Sequence, residues 1–133
     1  MTYRFGRQSR ENLNTCSDLL QDCSEIVLRI KDHSVLKGFR SEQEQNKAFS
    51  EGHSKLKWPH GKHNKLPSTA MDIQTYPRPH GEQELREEQF YLLGLYRGVA
   101  TALGGDLRTG ADWDHDGEVS DNGWDDLFHV EET

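Results

Sequence analysis

No stretch of this 133-residue sequence approaches the roughly 20 consecutive apolar residues that a membrane-spanning helix needs, so stable insertion into a bilayer is not expected. The opening residues MTYRFGRQSREN lack the apolar centre of a signal peptide, and the chain is expected to be made in a cytoplasm with no export signal of its own. Positive charge is short too. Sixteen Lys and Arg against 23 Asp and Glu leave a net charge of −7, which argues against nucleic acid or an anionic membrane as the main partner. Basic residues gather only locally, around GHSKLKWPHGKHNK. Apolar residues make up just 32% of the chain, yet long segments keep a clear hydrophobic period, so a folded domain is expected rather than disorder. The length suits one domain over residues 1–133, expected to be a monomer.

Cysteine is nearly absent. Cys16 and Cys23 fall on the apolar face of an expected first helix, with Leu13, Leu20, Val27 and Ile30. At a rise of ~1.5 Å per residue their Cα atoms would lie about 10 Å apart, beyond the ~7 Å limit for a disulfide, so both read as core-facing thiols.

That first helix is predicted to start at Ser9 as N-cap and to run to about Lys31. SVLKGF follows as a strand. SEQEQNKAFSEG reads as a second helix, capped by Ser41 and stopped by Gly52. His53 to Ser68 has no period and reads as a surface loop. AMDIQTY alternates as a strand closed by Pro77 and Pro79, and EQELREEQFYLLGLYRGVATALGG is the longest helical pattern. A short strand at LRTG, an acidic loop ADWDHDGEVSDNGWDD and a last strand LFHVEE complete the chain. The order predicts an α+β domain with a small, mainly antiparallel sheet flanked by about three helices. Trp58, Trp113 and Trp124 read as core or loop packing.

Three dispersed polar residues suggest chemistry. His63 lies at the end of the irregular loop, Asp72 inside a strand and His129 inside the terminal strand, and in a small sheet these can be neighbours. Two imidazoles and one carboxylate leave a fourth tetrahedral position for water, the arrangement of catalytic rather than structural zinc. Asp126, three residues before His129, is close enough to serve as a base, with Asp125 as the alternative and His60 as a rival ligand. The HExxH signature is absent.

The order GFRSEQEQ, KHNKLPSTAMDI, GADWDHDG, DDLFHVEE resembles the zinc peptidases of the D-Ala-D-Ala carboxypeptidase and VanY type, above all the bacteriophage L-alanyl-D-glutamate endolysins. The likeness runs from YRFGRQS to HVEE. It implies a hedgehog/DD-peptidase-like fold, zinc bound by His63, Asp72 and His129, and Asp126 as catalytic base. It further implies that Arg40 binds substrate and steadies the tetrahedral intermediate, with Gln45 in the helix behind it. The implied substrate is the peptidoglycan stem peptide, cut between L-alanine and D-glutamate. The implied route is from the host cytoplasm to the wall through a holin-made hole. A D,D- or L,D-carboxypeptidase and a non-catalytic metal-binding module are the competing readings. Two departures stand out: the gap from His63 to Asp72 is two residues longer than usual, so LPST should bulge outward, and Gly61 stands where the motif has serine.

The acidic loop carries a separate pattern. Asp112, Asp114 and Asp116 followed by Gly117 match the opening of a calcium loop, with oxygen donors at alternate positions and glycine at the sharp turn. Gly123 stands where a bidentate glutamate belongs, which leaves Glu118 or Asp121 to complete the shell and makes calcium an expected regulator.

Overall fold

Where one long helix is expected, the computed structural model has two, α1 (Arg7–Leu13) and α2 (Asp18–Leu28). It describes residues 2–119 and 125–133. Ser17 starts the second helix by accepting the Leu20 N–H at 3.4 Å. Between the helices the chain is pulled sideways: the Ser68 N–H donates to Thr15 O at 2.7 Å and the Ser17 N–H donates to Ser68 O at 2.9 Å. Ser9 is therefore not an N-cap. It lies inside α1, buried, with its hydroxyl accepting the Val35 N–H at 3.0 Å. The apolar period survives the break, since Leu13, Cys16, Leu20, Cys23 and Val27 are all buried, although Ile30 is half exposed. Both thiols are free, and burial pushes each up to about 11, so they stay protonated.

The remaining elements follow the patterns closely. Strand β1 (His33–Lys37) leads to α3 (Glu42–Ser50), whose capping box pairs Ser41 Oγ with the Glu44 N–H and Glu44 Oε1 with the Ser41 N–H. A single 3-10 turn, Lys62–Asn64, precedes β2 (Ala70–Thr75). Then come α4 (Glu82–Ala102), β3 (Leu107–Thr109) and β4 (His129–Glu132). The last strand is shorter than LFHVEE because Asp126 Oδ1 accepts the Phe128 N–H at 3.1 Å and holds Leu127 and Phe128 in a turn.

The four strands form an antiparallel sheet in the order β1-β2-β4-β3. The class is α+β, as expected, with four α-helices among the described residues rather than about three. Strand alternation gives the sheet two unlike faces. Val35, Met71, Ile73, Leu107 and Val130 join one core with Leu20 and Val27 of α2 and Leu92, Leu93 and Tyr96 of α4. Each fully buried large apolar side chain there contributes roughly 1.5–3 kcal/mol. The opposite face carries Asp72, His129, Glu131 and Arg108.

One buried histidine belongs to the core side. His33 is 2% exposed, with Nδ1 2.9 Å from Lys31 O and Nε2 2.6 Å from Tyr96 Oη. Burial drives its pKa down from 6.5 to about 4, outweighing the bond to Lys31 O. Because the unfolded chain binds this proton more readily, stability is complete above about pH 6.5 and is lost as pH falls towards 4, by about 3 kcal/mol in all. Urea titrations of the metal-free protein at pH 7 and pH 4 should show this loss, reduced in His33→Gln. An identical acid loss in both proteins would exclude His33 as its source.

Candidate metal centre

The outer face brings His63, Asp72 and His129 together, with one ligand atom from each lying within 4.8 Å of the others. Each arrives by a different route. Asp72 and His129 are direct cross-strand partners of β2 and β4. His63 comes from the 3-10 turn, which is tied in by the Arg40 N–H donating to His63 O at 2.7 Å. The long gap before Asp72 protrudes at Lys65, Leu66 and Pro67 rather than over the whole of LPST, because Ser68 is buried and turns back into the protein.

The donor atoms can be assigned from their partners. His63 Nδ1 donates to Gly38 O at 2.8 Å, which leaves Nε2 buried without a hydrogen-bond partner and 3.6 Å from Asp72 Oδ1. His129 Nε2 lies 2.7 Å from Glu131 Oε1, and its Nδ1 lies 3.5 Å from Asp72 Oδ1. Burial pushes the Asp72 carboxyl up, but the His129 and His63 imidazoles beside it outweigh this and hold it ionised, well below the usual carboxylate range. Burial pulls His129 down, yet its bonds to Asp72 and Glu131 lift it to about 9. The pocket therefore favours positive charge, and an orphaned buried imidazole nitrogen beside a carboxylate fits a metal ion.

The group lies in a cleft of about 530 Å³ whose lining includes Arg40, Leu56, His60, Trp113, Asp126 and Phe128. Arg40 Nη2 is 3.6 Å from Asp72 Oδ2, and Nη1 donates to Gln45 Oε1 at 3.0 Å. Gln45 is 1% exposed and is itself anchored, with Nε2 donating to Ser54 Oγ at 2.9 Å and to Leu56 O. Asp126 has its pKa raised by burial and then by the nearby Asp72 charge. Asp125 lies 3.5 Å from Arg86 Nη2 on α4 and is not among the residues lining the cleft. His60 lines the cleft but adds no atom to the three-residue group.

Gly61 has a local explanation. A Cβ there would sit 2.8 Å from Asn64 Oδ1 and 3.2 Å from Gln45 Oε1. The Asn64 amide occupies that space, accepting the Gly61 N–H at 2.8 Å and donating to Gln45 Oε1 at 3.1 Å. No sequence pattern marks Asn64, and Trp113 is expected only in core or loop packing. The Trp113 ring in fact lies 5.4 Å from the His129 ring at 32°, inside the cleft. Its place in the acidic loop beside several aspartates carried no periodicity to reveal this.

In that loop, oxygens of Asp112, Asp114 and Asp116 also lie within 4.8 Å of one another. Asp112 is buried, and its carboxylate meets Arg97 Nη1 at 2.6 Å and accepts the N–H groups of Asp116 and Gly117. The Glu118 carboxylate is not part of this group, although its N–H donates to Asp116 Oδ1 at 2.8 Å; Asp121 and Trp124 fall outside the described residues.

Closed structural metal cages use four protein donors. This group has three and opens on a cleft, which is the layout of metal-dependent hydrolases. The chain matches the phage L-alanyl-D-glutamate peptidase family over residues 1–132 and belongs to it. It is 27% identical to the L-alanyl-D-glutamate peptidase of Escherichia phage T5 over 136 residues, which covers 98% of each chain. Its fold is similar to that of the crystal structure of the Serratia marcescens L-Ala D-Glu endopeptidase ChiX, with a TM-score of 0.71 at 21% identity over 98% of this chain and 90% of that one. Among the described residues, no helix is long and apolar enough to cross a membrane.

Proposed function

We propose that this chain hydrolyses the bond between L-alanine and D-glutamate in the peptidoglycan stem peptide, using zinc held by His63, Asp72 and His129. The observation that carries the metal reading is the buried, unpartnered Nε2 of His63 facing Asp72 and His129. Membership of the phage peptidase family supports the choice of bond. Zinc, when bound, supplies a Lewis acid and lowers the pKa of a water to roughly 7.

The side chains do the rest. Asp126, on the cleft wall, takes a proton from the attacking water and returns it to the leaving amine. Asp125 is engaged with Arg86 instead. Arg40, held by Gln45 at the edge of the donor group, donates to the substrate carbonyl oxygen as negative charge builds on it. The cleft beside the donor group is where the stem peptide would be recognised. The setting is lysis of the host wall after release from the cytoplasm through a phage-made hole. Calcium bound by Asp112, Asp114 and Asp116 would order the loop that leads to Asp126 and His129, an idea supported by the convergence of the three carboxylates.

Digesting purified sacculi and identifying the new termini by mass spectrometry tests the reading. New D-glutamyl amino termini are expected. Released free D-alanine would make the enzyme a carboxypeptidase, and no new termini would leave a binding module. The same digest with calcium added to the zinc-loaded enzyme should run faster; a rate indifferent to millimolar calcium would remove the regulatory role.

A further inference from the structure

Glu131 follows His129 by two positions on β4, and strand alternation places both on the outer face while Val130 between them enters the core. One oxygen of Glu131 lies 2.7 Å from His129 Nε2. The other accepts from Arg108 Nη2 at 2.7 Å and lies 3.1 Å from Lys62 Nζ. Arg108 is the direct cross-strand partner of Glu131 on β3, and Lys62 comes from the same 3-10 turn as His63, with its ammonium also donating to Glu132 O. The carboxylate is thus fixed from three elements and only 6% exposed.

This arrangement decides which nitrogen of His129 faces the metal. A carboxylate only accepts, so the nitrogen it holds is committed as a hydrogen-bond donor, and the other is the one open to a metal ion. The held nitrogen is Nε2, and the one turned towards Asp72 is Nδ1. We propose that Glu131 is a positioning residue that fixes His129 with Nδ1 presented to the metal, locked in place by Arg108 and Lys62. The inference rests on reading His63, Asp72 and His129 as the metal donors. Carboxylates in this role typically improve metal affinity by roughly 10- to 100-fold.

The test measures zinc dissociation constants by competition with a chromophoric chelator. In parallel, 15N spectra of the zinc-loaded protein follow the His129 Nε2 proton. Glu131→Ala should weaken zinc binding by roughly 10- to 100-fold and abolish the protected Nε2 proton signal. Glu131→Gln keeps an acceptor oxygen at full reach and should recover most of the affinity. Glu131→Asp keeps the charge but retracts the oxygen, and should bind zinc more weakly than Glu131→Gln. This last comparison decides the matter even if the alanine variant does not fold. Glu131→Ala binding zinc as tightly as the unaltered chain would overturn the inference, as would Glu131→Gln binding no better than Glu131→Asp. A His129→Ala control that keeps full zinc affinity would sink the site reading itself.

Discussion

Asp126→Asn should hold zinc as tightly as the unaltered protein while losing turnover by roughly 10²- to 10⁴-fold, the usual loss when a general base is removed. His129→Ala should lose both metal and activity. The contrast follows from placement. His129 is a member of the donor group, whereas Asp126 lines the cleft wall without contributing an atom to that group. The asparagine keeps the side-chain oxygen that accepts the Phe128 N–H, so the turn leading into β4 should survive. Metal content by atomic emission together with kcat on purified sacculi separates the two roles. An active Asp126→Asn enzyme would move the base elsewhere, with Asp125 the first residue to examine.

Gly110→Ala should be as damaging, though the residue touches neither substrate nor metal. A Cβ at Gly110 would lie 1.7 Å from Asp126 O, an overlap with backbone that no side-chain rotation relieves. The two segments are also stitched together, with the Asp126 N–H donating to Gly110 O at 2.9 Å and the Gly110 N–H donating to His129 O at 2.9 Å. The chain carrying the base must therefore move outward. We expect about 3 kcal/mol of lost stability and turnover at least as low as that of Asp126→Asn. Thermal melts and kcat measured on the same preparation check this. Near-normal turnover in Gly110→Ala would mean that the position of Asp126 is not critical to the reaction.

Much of this was legible in the chain because the signals are local. Ser41 and Glu44 announce a helix start at fixed spacing, and the long apolar period of α4 needs no tertiary information. His63, Asp72 and His129 could be nominated because two of them sit on alternating strand patterns and the third ends a loop. The break between α1 and α2 was not legible, since it is made by backbone bonds to Ser68, far along the chain, while the buried residues keep their helical period across it. Glu131 falls within the expected last strand LFHVEE with nothing to single it out. Only the register that sets it opposite Arg108 gives it a role. Gly110 read simply as the end of a strand, because a close approach between two backbones leaves no mark on composition.

The two unlike faces of the sheet make β4 a shared ruler. Sliding it by one residue against β2 would send Val130 outward and turn His129 and Glu131 into the apolar layer, so core and donor group are right together or wrong together. The unfolded chain has no equivalent site, because its donors come from a loop and two separate strands. An ion that needs all three recognises only the folded protein, and at 100 times its dissociation constant it would add about 2.7 kcal/mol to stability. Supply of the ion would then govern how long the enzyme survives proteolysis, as well as whether it cuts.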